Sequence, residues 1–237
     1  MNSNRYDTFI FDLDGTLLDT LTDLADSVNY ALRQLGMPEH TIDEVRLMVG
    51  NGVHKLMERA VPDGIRNRRF EEAFALFRSY YSKHSSDTTQ PYDGIPELLL
   101  ELKRHGCLTA VVSNKFNAAT KALCKHFFPS TIDVAIGEHE AEGIRKKPAP
   151  DTVIEALRQL QQMPSASKNS LISDGNIHAN AVYIGDSDID ILTARNSSLP
   201  CISVLWGFRS RQFLLEHGAT TLVSHPAEIL EYMNNRA

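Results

Sequence analysis

The feature that most restricts how this chain can fold is an alternation of short, wholly apolar runs with longer segments of helical period. Thr8-Phe-Ile-Phe11, Leu108-Thr-Ala-Val-Val112, Val134-Ala-Ile136, Ala181-Val-Tyr-Ile184 and Cys201-Ile-Ser-Val-Leu205 are such runs, with Thr221-Leu-Val223 a weaker sixth. A strand with one wet face alternates apolar and polar residues; unbroken apolar runs suit parallel strands covered on both faces. Between them Ile95, Leu98, Leu99 and Leu102 mark one helix, with Gly106 suited to its C-terminal end. Ala119, Leu123 and Phe127 mark a second, and Val153, Leu157 and Leu160 a third. The pattern predicts the α/β class, a doubly wound parallel sheet.

One interruption breaks the alternation. Roughly ninety residues separate the first two strand candidates, far more than one crossover helix needs. Leu17, Leu21, Leu24, Val28, Ala31 and Leu35 predict an amphipathic helix there, and Phe70, Ala73, Phe74, Phe77, Tyr80 and Tyr81 another. Shorter helical candidates run from Ile42 to Val49 and from Val53 to Val61, separated by Gly50-Asn-Gly52. Residues 17–90 are therefore expected to form an inserted all-α unit, with 1–16 and 91–237 as the α/β core. Ser85-Ser-Asp-Thr-Thr-Gln-Pro91 reads as the linker out of it. A second irregularity, Met163 to Asn180, is rich in Ser and Asn and reads as a long exposed loop.

Composition excludes several functions. A net charge of −6 and a pI near 5.8 are those of a protein without the basic stripe of a nucleic-acid binder. No apolar run reaches ~18 residues and the N-terminus does not resemble a signal peptide, so no membrane partner is expected. Cys107, Cys124 and Cys201 lack metal-ligand spacing and read as buried thiols of a cytoplasmic protein. No GxGxxG follows the first strand, which sets aside a dinucleotide-binding dehydrogenase.

Ligands of parallel sheets bind beyond the carboxyl ends of the strands. Those ends carry Asp12-Leu-Asp-Gly-Thr16, Ser113-Asn-Lys115 and Gly185-Asp-Ser-Asp-Ile-Asp190, with Lys146-Lys-Pro-Ala-Pro150 before the helix that follows the third strand. Carboxylates, a hydroxyl and lysines so converge on one edge. Asp12 and Asp186, on separate strands, would repel each other without a cation between them, and an all-oxygen set favours Mg²⁺. Such a cation draws a phosphate toward a carboxylate nucleophile, while a lysine and a hydroxyl offset charge on the transferring group. Asp14 is placed to exchange a proton with the leaving oxygen, and Gly15 to allow close backbone approach to phosphate.

Asp12-Leu-Asp-Gly-Thr-Leu-Leu-Asp19, Ser113-Asn114, Lys147-Pro-Ala-Pro150 and Gly185-Asp-Ser-Asp-Ile-Asp190 resemble, in order, the four motifs of the haloacid dehalogenase superfamily. Within it the pattern is most similar to phosphoglycolate phosphatases, and the insertion resembles a C1-type cap. The resemblance implies Asp12 as nucleophile, Asp14 as general acid/base, and Ser113 and Lys147 as phosphoryl-binding catalytic residues. Asp12, Asp14 (through its carbonyl) and Asp186 are then the Mg²⁺ ligands, with Asp190 behind them. Gly15, Thr16 and Asn114 are expected at the substrate, as are Asn51, Gly52 and His54 of a cap loop reaching over the edge. Asp14 favours phosphate esters, since dehalogenases lack it and the ATPase branch has threonine there. The expected activity is hydrolysis of a small phosphorylated metabolite by a monomer or homodimer. A phosphomutase of the β-phosphoglucomutase type is the alternative, and a receiver-like phospho-aspartate module a remote one.

Overall fold

The computed structural model describes residues 5–163, 171–173, 176–177 and 179–234. A six-stranded, all-parallel sheet forms its centre, in the order β10-β9-β8-β1-β4-β5. The members are β1 (Thr8–Phe11), β4 (Leu108–Phe116), β5 (Val134–Glu138), β8 (Ala181–Gly185), β9 (Cys201–Val204) and β10 (Leu222–Val223). Strand β1 pairs in register with both neighbours, Phe11 opposite Val111 of β4 and Ile184 of β8. Every residue of β1 and of β8 is buried, the physical counterpart of their unbroken apolar runs.

Helices cover both faces. On one, α5 (Ile95–Arg104) and α6 (Asn117–Phe127) bury Leu98, Leu99, Leu102 and Leu123 against Phe9, Phe11, Val111 and Ile184. On the other, α7 (Asp151–Gln161) packs Val153, Ala156, Leu157 and Leu160 against Ile10, Val112 and Tyr183, beside α8 (Asp188–Asn196). The short α9 (Arg211–Glu216) closes the edge of the sheet. Gly106 follows α5 with φ +72°, the left-handed turn that ends a helix cleanly.

Between β1 and β4 the chain leaves the sheet for α1 (Leu21–Gln34), α2 (Ile42–Met48), α3 (Val53–Ala60) and α4 (Phe70–His84). These bury one another: Leu24, Val28 and Leu32 of α1 meet Phe70, Phe77 and Tyr81 of α4 in a separate apolar cluster. Phe208, from the loop after β9, and Phe116 at the end of β4 pack against that cluster from the core. Entry and exit are tied together. β2 (Leu18–Asp19) pairs antiparallel with β3 (Gln90–Pro91), and the buried Asp23 carboxylate accepts from the backbone and hydroxyls of Thr88 and Thr89.

Three sequence expectations need correction. The amphipathic helix starts at Leu21 rather than Leu17, because the N–H groups of Leu17 and Leu18 turn back to the Leu13 carbonyl and Leu18 joins β2. Strand β4 runs past Val112 to Phe116, so Ser113, Asn114 and Lys115 lie within it; its pairing with β5 shifts register there. Of the loop expected over 163–180, residues 164–170, 174–175 and 178 lie outside the described residues. The described part holds a short antiparallel pair, β6 (Ile172–Ser173) with β7 (Asn176–Ile177). Cys107 and Cys124 are buried and Cys201 half-buried, with no disulfide among them. No helix among the described residues is long and apolar enough to cross a membrane.

Candidate active site

The strand ends of β1, β4 and β8, with the segment before α7, enclose one cavity of about 40 Å³. Asp12 follows β1, whose ladder it continues by donating its N–H to Ile184. Its Oδ1 accepts from the Leu13 N–H at 2.7 Å and faces Lys147 Nζ at 2.8 Å. Lys147 also sits 2.8 Å from Asp190 Oδ1 and 3.1 Å from the Tyr183 hydroxyl. Asp190 is fully buried and its other oxygen accepts from the Ser187 N–H and hydroxyl. Asp186 Oδ2 is held by the Phe208 N–H at 2.6 Å. The helix that follows begins at Asp188 with Ser187 at its cap, so Asp186 is not the capping residue.

The carboxyl oxygens of Asp12, Asp186 and Asp190 come within 4.8 Å of one another. Burial, with Asp190 adding like charge, pushes the Asp186 carboxyl up to about 7. Asp12 is also raised well above the ordinary carboxylate range, by burial and then Asp190, with Lys147 opposing. For Lys147 burial opposes the charge, but Asp12 and Asp190 outweigh it and the ammonium is held protonated. Buried carboxylates raised in this way are short of positive charge. A hard divalent cation fits that deficit and the all-oxygen donor set. Both oxygens of Asp190 are already hydrogen-bonded, which leaves Asp12 and Asp186 as the carboxylates fit to bind one directly.

Asp14 lines the same cavity. Its Oδ1 accepts from the Thr20 hydroxyl at 2.7 Å and from Lys115 Nζ at 2.6 Å. Gly15 has φ +83°, and a Cβ there would lie 2.5 Å from Asp186 Oδ2, so only glycine lets the loop pass this close. Its N–H is spent on the Leu18 carbonyl, and the glycine thus serves Asp186 more directly than a ligand. Ser113 and Asn114 line the cavity, and Asn114 donates to the carbonyls of Lys147 and Gly50. Thr16 does not line it; its carbonyl accepts from the Trp206 indole.

From the helical side Leu24, Val49, Gly50, Gly52, Val53 and Leu56 complete the wall. Gly52, at φ +84°, lies so near the Asn114 carbonyl that a Cβ would sit 3.2 Å from it. The expected roles of Asn51 and His54 have no support in this geometry. Asn51 points outward and accepts from Arg59, while His54 is exposed, packed edge-on against Phe70 and Phe74.

Sequence reasoning passed over Lys115 and Arg209. Lys115 stood in the same strand-end triplet as Ser113, but a buried ion pair with Asp14 has no local signature. Arg209, after β9, donates from Nη1 and Nη2 to the carbonyls of Arg46 and Val49, roping the helical loop to the core. The aromatic residues beside it behave as packing groups, Trp206 against the sheet core and Phe208 against the helices.

Residues 9–204 match the haloacid dehalogenase-like hydrolase family. A phosphoglycolate phosphatase of Aquifex aeolicus is 30% identical over 227 residues, 95% of this chain and 96% of that one. One from Caulobacter vibrioides is 33% identical over 85% of this chain and 80% of its own. An N-acetylmuramic acid 6-phosphate phosphatase of Pseudomonas aeruginosa is 27% identical over 99% and 97%. A crystal structure from Lactobacillus delbrueckii subsp. bulgaricus superposes with a TM-score of 0.85 at 35% identity, covering 97% of this chain and 99% of that one. The chain belongs to the haloacid dehalogenase-like hydrolases and is similar to their phosphoglycolate phosphatases.

Proposed function

We propose that the protein is a Mg²⁺-dependent phosphatase that hydrolyses a small phosphate monoester through an aspartyl-phosphate on Asp12. The observation that carries this is the buried cluster of Asp12, Asp186 and Asp190, with Lys147 paired to Asp12 and Asp190 and with Asp14 two residues from the nucleophile. Both protein contacts to Asp12 fall on Oδ1, which leaves Oδ2 to attack phosphorus. Lys147 and Ser113 line the cavity where the transferring group would sit and offset its charge, while the Asn114 amide holds the Lys147 backbone in place. Asp12, Asp186 and the Asp14 carbonyl would hold Mg²⁺, which would supply the positive charge that lets an anionic nucleophile meet an anionic phosphate. Thr20 and Lys115 hold Asp14 by Oδ1, so Oδ2 is the oxygen that protonates the leaving alkoxide. The same oxygen then takes a proton from the water that attacks the aspartyl-phosphate, releasing phosphate and restoring Asp12.

The helices α1–α4 serve in this reading as a cap, and the tie from Arg209 to Val49 belongs to its closed position. With the cap closed, the cavity measures only about 40 Å³, a space that favours a small ester over a nucleotide. The relatives' substrates agree on phosphate monoesters of small metabolites, and a phosphoglycolate-like ester is the one this room favours. A cytoplasmic location suits cysteines that form no disulfide with one another. Phosphate release from a panel of monoesters with Mg²⁺ tests the reading: small aliphatic esters are expected to be cleaved, and Asp12→Asn to lose at least about 10⁴-fold in kcat. Full activity of that variant would sink the mechanism.

A further inference from the structure

Lys147 reaches the cavity with no donor to spare. Its side chain is 2% exposed, and its Nζ meets Asp12 Oδ1 at 2.8 Å, Asp190 Oδ1 at 2.8 Å and the Tyr183 hydroxyl at 3.1 Å. An ammonium has three N–H donors, so all three are engaged before any phosphate arrives. Tyr183 belongs to β8, three residues ahead of Asp186, and is fully buried in the layer that packs against α7. It stands inside a strand rather than at its end, and no strand-end motif includes it.

To take up a phosphoryl oxygen Lys147 must release one partner, and the three are not equal. Asp12 has to stay beside the phosphorus it attacks. Asp190 is fully buried, and without the ammonium it would be a carboxylate deprived of its counter-ion. Tyr183 is neutral, and it is the farthest of the three. Its hydroxyl also has a bond of its own, donated to Asp190 Oδ1 at 3.1 Å. Released by Lys147, Tyr183 loses one accepted hydrogen bond, and its own donor stays paired. It is the partner whose release costs least.

We propose that Tyr183 is a positioning residue that holds the Lys147 ammonium while the phosphoryl site is empty and gives it up when phosphate enters. The assignment rests on the phosphatase reading and adds to it the group that keeps the phosphate-binding lysine in place between turnovers. Phosphate binding to the wild-type protein then includes the loss of this bond. Tyr183→Phe keeps the ring and its packing and has no such bond to lose. The variant should therefore bind inorganic phosphate about fivefold more tightly than wild type, the scale of one hydrogen bond to a charged group after partial relaxation. A side chain needed only for packing would leave that affinity unchanged or weaken it.

The test measures the Kd of inorganic phosphate by calorimetry in the presence of Mg²⁺, and its inhibition constant against cleavage of a small ester, for both proteins. Unchanged or weaker phosphate binding by Tyr183→Phe overturns the proposal. A structure of the wild-type protein with Mg²⁺ and phosphate needs no variant: Lys147 Nζ should contact a phosphoryl oxygen and lie more than about 3.5 Å from the Tyr183 hydroxyl. A lysine that holds phosphate and the hydroxyl together overturns the proposal as well. Either failure in a protein that cleaves phosphate esters leaves the phosphatase reading intact. A wild-type protein that neither binds phosphate nor releases it from any ester overturns that reading, and this assignment with it.

Discussion

The two walls of the cavity are built on different physics. The sheet wall is a network of buried charge: Asp12, Asp186 and Asp190 against Lys147, and Asp14 against Lys115, each fixed by hydrogen bonds to neighbouring backbone or hydroxyls. The helical wall is apolar, and meets the first through loop backbone at Gly50 and Gly52. Charges buried in this way cost desolvation and stay only because every partner is in place. An apolar wall has no such coupling, so its residues can change with little effect on the wall opposite. Chemistry is thus assigned to the rigid side and selection to the exchangeable one.

The largest test of this division is Asp14→Asn. Without a proton donor, kcat/KM for an aliphatic phosphate should fall between about 10²- and 10⁴-fold. Acetyl phosphate, whose acetate leaves as an anion, should be spared most of that loss, because kcat/KM reports only the step that expels the leaving group. Equal losses on the two substrates would deny Asp14 the acid's role.

Arg209→Ala addresses the seam between the walls. It removes two hydrogen bonds from the helical loop and none from the carboxylate cluster. KM should rise about tenfold with kcat nearly unchanged, the signature of lost uniform binding. A kcat that falls as far as KM rises would place Arg209 in the chemistry instead.

The smallest effect separates the walls by pH. The Asp186 carboxyl is raised in the folded protein to about 7, and Asp12 is raised as well. A raised carboxyl means that the native state holds its proton more tightly than the unfolded chain. Its stabilisation is complete below the ordinary carboxylate range and is lost as pH rises through about 7. Mg²⁺ replaces those protons, so it should raise Tm by on the order of 5 °C at pH 8 and by much less at pH 5. Melting curves with and without Mg²⁺ at both values check this; equal increments would mean the cation binds elsewhere.

The sheet was legible because its evidence is local. Six apolar runs predict six strands, and the strand ends name Asp12, Ser113 and Asp186 by adjacency alone. The start of α1 was not, because Leu17 and Leu18 fit the helical spacing and are diverted only by the turn around Leu13. His54 misled for a related reason: next to two glycines it looks like a loop residue. As the second residue of α3 it instead projects onto Phe70 and Phe74.

The class of fold and the set of carboxylates at its active edge can be read from the chain alone, since both follow from short-range patterns of burial and strand length. The partners of those carboxylates were settled by long-range packing. Lys115 and Asp14 are 101 residues apart, and Arg209 and Val49 160. Such contacts leave no periodicity in the chain. They exist because the sheet order places β4 beside β1, and because the loop after β9 meets a helical lobe inserted near the start of the chain.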